Sequence, residues 1–135
     1  MRISWEEYAL EVAKTASLRS EDPYMKVGAC VLNSSNKIIG VGYNGLASGK
    51  NPPDHFWDDR DKRRVFMVHA EVNALTRVGY DEAYLLACTL LPCRCCATLI
   101  AAYGIKKVIF KDIYNKDTSA FEIFDFYNIE LKQYQ

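Results

Sequence analysis

Apolar residues Trp5, Tyr8, Ala9, Val12, Ala13 and Ala16 recur at helical spacing behind Ser4, and Glu7 stands three residues past that serine, as in a capping box. The pattern predicts a first helix from about Trp5 to about Leu18. Ser20-Glu21-Asp22-Pro23 reads as a loop. Two β-rich apolar runs follow, Val27 to Leu32 and Ile38 to Tyr43, and the turn chemistry of Asn33-Ser34-Ser35-Asn36-Lys37 between them makes the pair a hairpin. From Asn44 to Arg64 the chain is polar, with Gly, two adjacent prolines and mixed charges, and reads as a functional or flexible segment. Beyond it the pattern predicts a helix from about Ala70 to Val78 stopped by Gly79, and a buried strand from Tyr84 to Leu91. Pro92 then opens a helix from about Cys93 to Tyr103, closed by Gly104. A short strand from Lys107 to Phe110, a helix from Thr118 to about Tyr127 and a last strand from Ile129 to Lys132 complete the chain. A hairpin followed by alternating helices and strands implies a mixed sheet with helices on both faces.

Composition narrows this to one ordinary domain spanning residues 1–135: half the residues are hydrophobic and 25% are charged. Seventeen Lys and Arg balance seventeen Asp and Glu, for a formal net charge of zero. A protein that tracks a nucleic-acid backbone normally carries a basic surplus, so the balance argues against a polymeric nucleic-acid partner, although a basic patch can hide inside a neutral total. The N-terminal residues lack the apolar run of a signal peptide, and no stretch reaches transmembrane length, so no membrane partner is expected. Five cysteines, an odd number, do not suggest a disulfide framework. A reducing, cytoplasmic setting is the expectation.

The candidate chemistry lies in two clusters, His69-Ala70-Glu71 and Pro92-Cys93-Arg94-Cys95-Cys96. His69, Cys93 and Cys96 offer one imidazole and two thiolates, which is three zinc ligands, with Glu71 as a carboxylate left over. Structural zinc sites close all four positions with protein atoms, whereas catalytic ones keep one for water, so the incomplete set reads as catalytic. Glu71, two residues past the histidine, is placed to handle that water's protons. Both clusters fall at predicted helix starts, where the helix dipole favours thiolate. The spacing of Cys93 and Cys96 brings both sulfurs to one point, while Cys95 points elsewhere. Each half has plainer readings. Cys-x-x-Cys could be a redox dithiol or half of a zinc knuckle, and His-x-Glu could be a capping or core pair. Their joint occurrence, one on either side of a strand, favours the metal.

His-x-Glu followed by Pro-Cys-x-x-Cys is the signature of zinc deaminases. Trp5-Glu6-Glu7-Tyr8, Arg19-Ser20-x-Asp22-Pro23, Val27-Gly28-Ala29, Gly42-Tyr43-Asn44-Gly45 and His69-Ala70-Glu71-Val72-Asn73-Ala74 occur in that order. Along nearly its whole length the chain thereby resembles the deoxycytidylate (dCMP) deaminase family. The resemblance implies a cytidine-deaminase-like three-layer α/β/α sandwich with a five-stranded mixed sheet. It implies deamination of dCMP to dUMP with release of ammonia, supplying thymidylate synthesis. It further implies one catalytic Zn2+ held by His69, Cys93 and Cys96, with Glu71 as proton shuttle, and a homo-oligomer, a hexamer being favoured. Asn44 takes the place of the sugar-binding residue, with Ala70, Val27, Lys26 and Tyr114 as further substrate contacts. Lys26 is the first candidate for the 5′-phosphate, ahead of Arg19 and the group Arg60, Lys62, Arg63 and Arg64, whose charge Asp58, Asp59 and Asp61 partly cancel. Tyr114 could pack against the base or simply be a core or surface tyrosine. Gly42, Tyr43, Asn44 and Gly45, with Asn36 and Lys37, would form a regulatory pocket for dCTP as activator and dTTP as inhibitor, with Mg2+. Ala47 stands where many relatives have proline, and the segment from Lys50 to Arg64 has no close counterpart. A second, structural zinc is not expected.

Overall fold

The computed structural model describes residues 1–113 and 116–134. Its elements are α1 (Trp5–Ser17), β1 (Gly28–Leu32), β2 (Ile38–Tyr43), α2 (Arg60–Phe66), α3 (Ala70–Leu75), β3 (Leu85–Leu90), α4 (Arg94–Ala102), β4 (Lys107–Asp112), α5 (Ser119–Phe126) and β5 (Glu130–Gln133). The strands form one mixed sheet in the order β2-β1-β3-β4-β5. β1 is antiparallel to both β2 and β3, whereas β3, β4 and β5 are parallel and joined through α4 and α5.

Strand alternation assigns the core. Ala29 and Val31 of β1, Leu86 and Cys88 of β3, and Val108 and Phe110 of β4 pack with Ala74, Ala97, Ile100 and Phe124 from α3, α4 and α5. The intervening residues Cys30, Leu32, Leu85, Ala87 and Ile109 pack on the other face against Ala9, Leu10 and Ala13 of α1. Because both faces are covered, the inner strands read as continuous apolar runs instead of alternating ones. The result is a three-layer α/β/α sandwich around a five-stranded mixed sheet, as expected.

Local signals set most boundaries. Ser4 Oγ accepts a hydrogen bond from Glu7 N at 3.0 Å, which starts α1. In the hairpin turn Asn33 Oδ1 accepts from Ser35 N and Lys37 N, and Asn36 adopts φ 62°. Gly104 takes φ 79° just past α4, a backbone that closes a helix and that side chains resist.

Three boundaries differ from expectation. α3 ends at Leu75 because Thr76 Oγ1 donates to Asn73 O at 3.0 Å and the last turn tightens. Pro92 precedes α4 instead of beginning it: the ladder opens from the Cys93 carbonyl, which accepts from Ala97 N at 2.8 Å. The segment from Asn44 to Arg64 is not elementless. It contains a 3-10 turn (Asp54–Asp58) and the start of α2, whose N-cap Asp59 accepts from Lys62 N at 2.9 Å. Only Arg63 of α2 is buried, so no apolar periodicity betrays the helix.

Gly42 lies directly beneath α3. A Cβ there would stand 2.5 Å from Ala74 N and 2.7 Å from Ala70 O, backbone atoms that cannot swing aside. Gly42→Ala is therefore expected to lower stability by about 1–3 kcal/mol through overpacking. Thermal denaturation reads this directly, and an unchanged Tm would show that the strand and helix are not in close register.

Candidate active site and metal centre

The site sits where the carboxyl end of β3 meets the starts of α3 and α4, the usual crevice of an open α/β sheet. His69 is the N-cap of α3 and Cys93 the N-cap of α4. Val68, just before the histidine, bridges Gly45 through two backbone hydrogen bonds of 3.0 and 2.7 Å, which ties the metal-side turn to the Gly-Tyr-Asn-Gly element. On the other side, Asp117 Oδ2 accepts from Arg94 N at 2.7 Å and its Oδ1 from Ser119 N at 3.0 Å, so the strand-to-helix connection after β4 is clamped to the start of α4. Those donors hold the Asp117 carboxyl below its ordinary range.

His69, Cys93 and Cys96 converge, their ligand atoms all within 4.8 Å of one another. His69 Nδ1 lies 3.2 Å from Cys96 Sγ and 3.6 Å from Cys93 Sγ. With Zn–S near 2.3 Å and Zn–N near 2.0 Å, a tetrahedral ion needs N···S edges of about 3.5 Å, within a few tenths of an ångström of both observed distances, so the three donors suit zinc. Nδ1 is the nitrogen that faces both sulfurs. Cys93 is the sulfur that ionises first: a hydrogen bond from Cys96, helped by His69, lowers its pKa to about 4. That same bond and burial push Cys96 upward. The Cys93 hydrogen bond raises His69 as well. Cys95 is exposed and stands outside the cluster.

Glu71 occupies the first turn of α3 and is only 4% exposed. Burial pushes its carboxyl upward, against the pull of its own backbone N–H and of His69. A cavity of about 350 Å³ opens beside it. Its apolar walls are Met25, Val27, Met67, Ala70, Leu90 and Leu91, and its polar lining includes Asp22, Asn44, Arg60, Arg63, Arg64, Lys116 and Asp117 with His69, Glu71 and Cys93.

Of the expected substrate contacts, Asn44, Ala70 and Val27 line this cavity. Asn44 is also a strut. Its Oδ1 accepts from Val27 N at 2.8 Å and its Nδ2 donates to Met25 O at 2.9 Å. Lys26 is exposed and does not line the cavity, because the alternating chain turns Met25 and Val27 inward. Tyr114 lies outside the described residues. The six residues expected to share a regulatory pocket are not gathered by one chain. Tyr43 ends β2, and Asn44 and Gly45 follow it beside the active site, whereas Asn36 and Lys37 sit in the turn at the far end of the hairpin. Asp117 went unnoticed in the sequence, where only the helix expected from Thr118 drew attention to this stretch. Among the described residues, no helix is long and apolar enough to cross a membrane.

Residues 3–112 match the model of the cytidine and deoxycytidylate deaminase zinc-binding region. The chain belongs to this family. Deoxycytidylate deaminase of Pongo abelii is 35% identical over 98% of this chain and 80% of that protein. The Homo sapiens deoxycytidylate deaminase is 38% identical over 80% of this chain and 65% of its own length. Among solved structures, the dCMP deaminase of cyanophage S-TIM5 in complex with dCMP and dUMP superposes with a TM-score of 0.80 at 27% identity, covering 99% of both chains. Family membership accounts for the deaminase fold and for the zinc-type donor set.

Proposed function

We propose that this chain is a zinc-dependent dCMP deaminase, converting dCMP to dUMP and ammonia. The observation that carries the reading is the meeting of His69 Nδ1 and the sulfurs of Cys93 and Cys96 beside a cavity whose wall holds the buried carboxylate Glu71. His69, Cys93 and Cys96 would hold the zinc. When bound, zinc lowers the pKa of water and so supplies a nucleophile at neutral pH. Glu71 takes a proton from the attacking water and delivers it to N3 of the cytosine, which makes C4 electrophilic. A new C4–O bond forms; Glu71 then takes the remaining proton of the C4 hydroxyl and passes it to the amino nitrogen, so that the C4–N4 bond breaks, the C4 carbonyl forms and ammonia departs. Burial suits a carboxyl that must work in both protonation states. Asn44 faces the sugar, and the apolar walls from Val27, Ala70, Leu90 and Leu91 suit the base.

The substrate reading is supported by the dCMP deaminase relatives and by the balanced charge of the chain, which suits a mononucleotide better than a polymer. Residues 1–135 are read as one catalytic domain of a cytoplasmic homo-oligomer, a hexamer, that supplies dUMP for thymidylate synthesis. Activation by dCTP and inhibition by dTTP, with Mg2+, belong to the same reading, with Gly42, Tyr43, Asn44 and Gly45 on the effector side.

Ammonia release from cytidine, CMP, dCMP and dCTP, and from a cytosine-containing single strand, tests it. dCMP is expected to give the highest kcat/KM, with dCTP raising and dTTP lowering the rate at subsaturating dCMP. Faster turnover of the oligonucleotide would overturn the mononucleotide reading, and indifference to both effectors would remove the regulation.

A further inference from the structure

Residues 46–67 leave the sandwich and return to it at one point. Gly45 and Val68 close the neck through their paired backbone hydrogen bonds, so the ends of this excursion lie side by side, as in a compact surface loop packed by its own side chains. No residue of the 3-10 turn is buried, Arg63 alone is buried in α2, and the element that α2 packs against is that turn. Within the excursion the Phe56 ring meets Trp57 edge-on at 5.1 Å and Phe66 at 5.9 Å, and none of the three belongs to either core layer. Ala47 to Asn51, all exposed, supply slack at its start, with Gly49 at φ 86° in open space. A unit with its own ring contacts and almost no share of the core opens at a lower free energy than the sheet beneath it.

This unit is also one wall of the cavity. Arg63, Arg64 and Met67 line it from the excursion, and Val27, Ala70 and Leu91 line it from the sandwich, so a molecule held there lies between the two. The fastening between them is concentrated at Tyr24. Its hydroxyl donates to Trp57 O at 2.8 Å and to Asp58 O at 3.4 Å, tying the end of the 3-10 turn. Its ring centre stands 5.3 Å from the guanidinium carbon of Arg60 and 4.7 Å from that of Arg63, tying α2. Tyr24 is in turn anchored to the sandwich side: its N–H donates at 2.8 Å to the carboxylate of Asp22, which is 1% exposed and also pairs with Arg63 Nη1 at 3.1 Å.

Resting on the nucleotide reading above, we infer that residues 46–67 form a cover that opens as a unit to admit substrate and release product, and that Tyr24 is the positioning residue that latches it shut. The latch is the same whether the cavity is empty or filled. Weakening it therefore raises the open fraction of the free and the nucleotide-bound protein alike, which speeds entry and exit by one factor and leaves affinity unchanged.

Amide hydrogen exchange and the binding kinetics of dUMP test this in the zinc-loaded protein. In wild type the hydrogen-bonded amides of α2 are expected to exchange about 100-fold faster than those of β3. Tyr24→Phe keeps the ring and removes the hydroxyl, and is expected to quicken α2 exchange about 5-fold, the scale of one hydrogen bond, with β3 unchanged. Tyr24→Ala removes the ring as well, at a side chain 37% exposed, and is expected to reach about 50-fold. Stopped-flow rates of dUMP association and dissociation should both rise by the same factors, with Kd within twofold of wild type. A residue that merely supports the fold would weaken binding without quickening both rates. Wild-type α2 amides as slow as those of β3, or dUMP rates that stay put while α2 exchange quickens, would overturn the cover. A wild-type protein that neither binds dUMP nor releases ammonia from dCMP would instead bring down the nucleotide reading itself.

Discussion

Glu71→Gln is expected to retain one zinc per chain while losing about 1,000-fold in turnover of dCMP, within the range that general acid–base groups contribute. The amide has nearly the shape of the carboxyl, so packing at the start of α3 should survive. What it cannot do is accept and return a proton. Glu71 is not one of the three converging ligand residues, so its replacement leaves the donor set whole. Its burial makes the loss severe, because bulk water cannot take over the relay at a side chain 4% exposed. Metal analysis and steady-state ammonia release on one preparation settle the matter. Turnover within tenfold of wild type would remove Glu71 from the proton path.

Cys93→Ala should lose metal and activity together. With one sulfur gone the remaining imidazole and thiol offer two donors, too few for a zinc site of either structural or catalytic type. The loss should exceed the roughly 10–100-fold that removal of an outer-shell partner costs. Cys93 is the sharper choice of the two sulfurs, because it lines the cavity, whereas Cys96 is buried in the core and its truncation would also cost packing. Cys95→Ala is the matched control, a neighbouring thiol that is exposed and outside the cluster. Stoichiometric zinc in Cys93→Ala would exclude the ligand assignment. A wild-type protein without zinc that readily forms a Cys93–Cys96 disulfide would instead favour a redox dithiol.

Elements with their own local chemistry were legible in the chain. Ser4 and Glu7 announced α1, the Asn33-to-Lys37 run announced the hairpin, and Gly104 marked the end of α4. α2 was not legible, because it hangs on its Asp59 cap and on contacts of Arg60 and Arg63 with Tyr24, with no apolar stripe of its own. Lys26, expected at the cavity, does not line it, for a related reason. Charge type and nearness to a strand suggested the cavity, but the facing of successive residues turned Met25 and Val27 inward.

The chain by itself determined which donors exist and where helices begin, because a cap or a Cys-x-x-Cys spacing is satisfied within one turn of backbone. It also determined the order of the strands and of every helix but α2, since periodicity is a property of short windows. Only the tertiary structure decided that His69 meets Cys93 and Cys96 across 24 and 27 residues, and that Asp22 meets Arg63. Those meetings depend on how buried faces of the sheet and its helices seat against one another, a long-range packing outcome that no local spacing encodes.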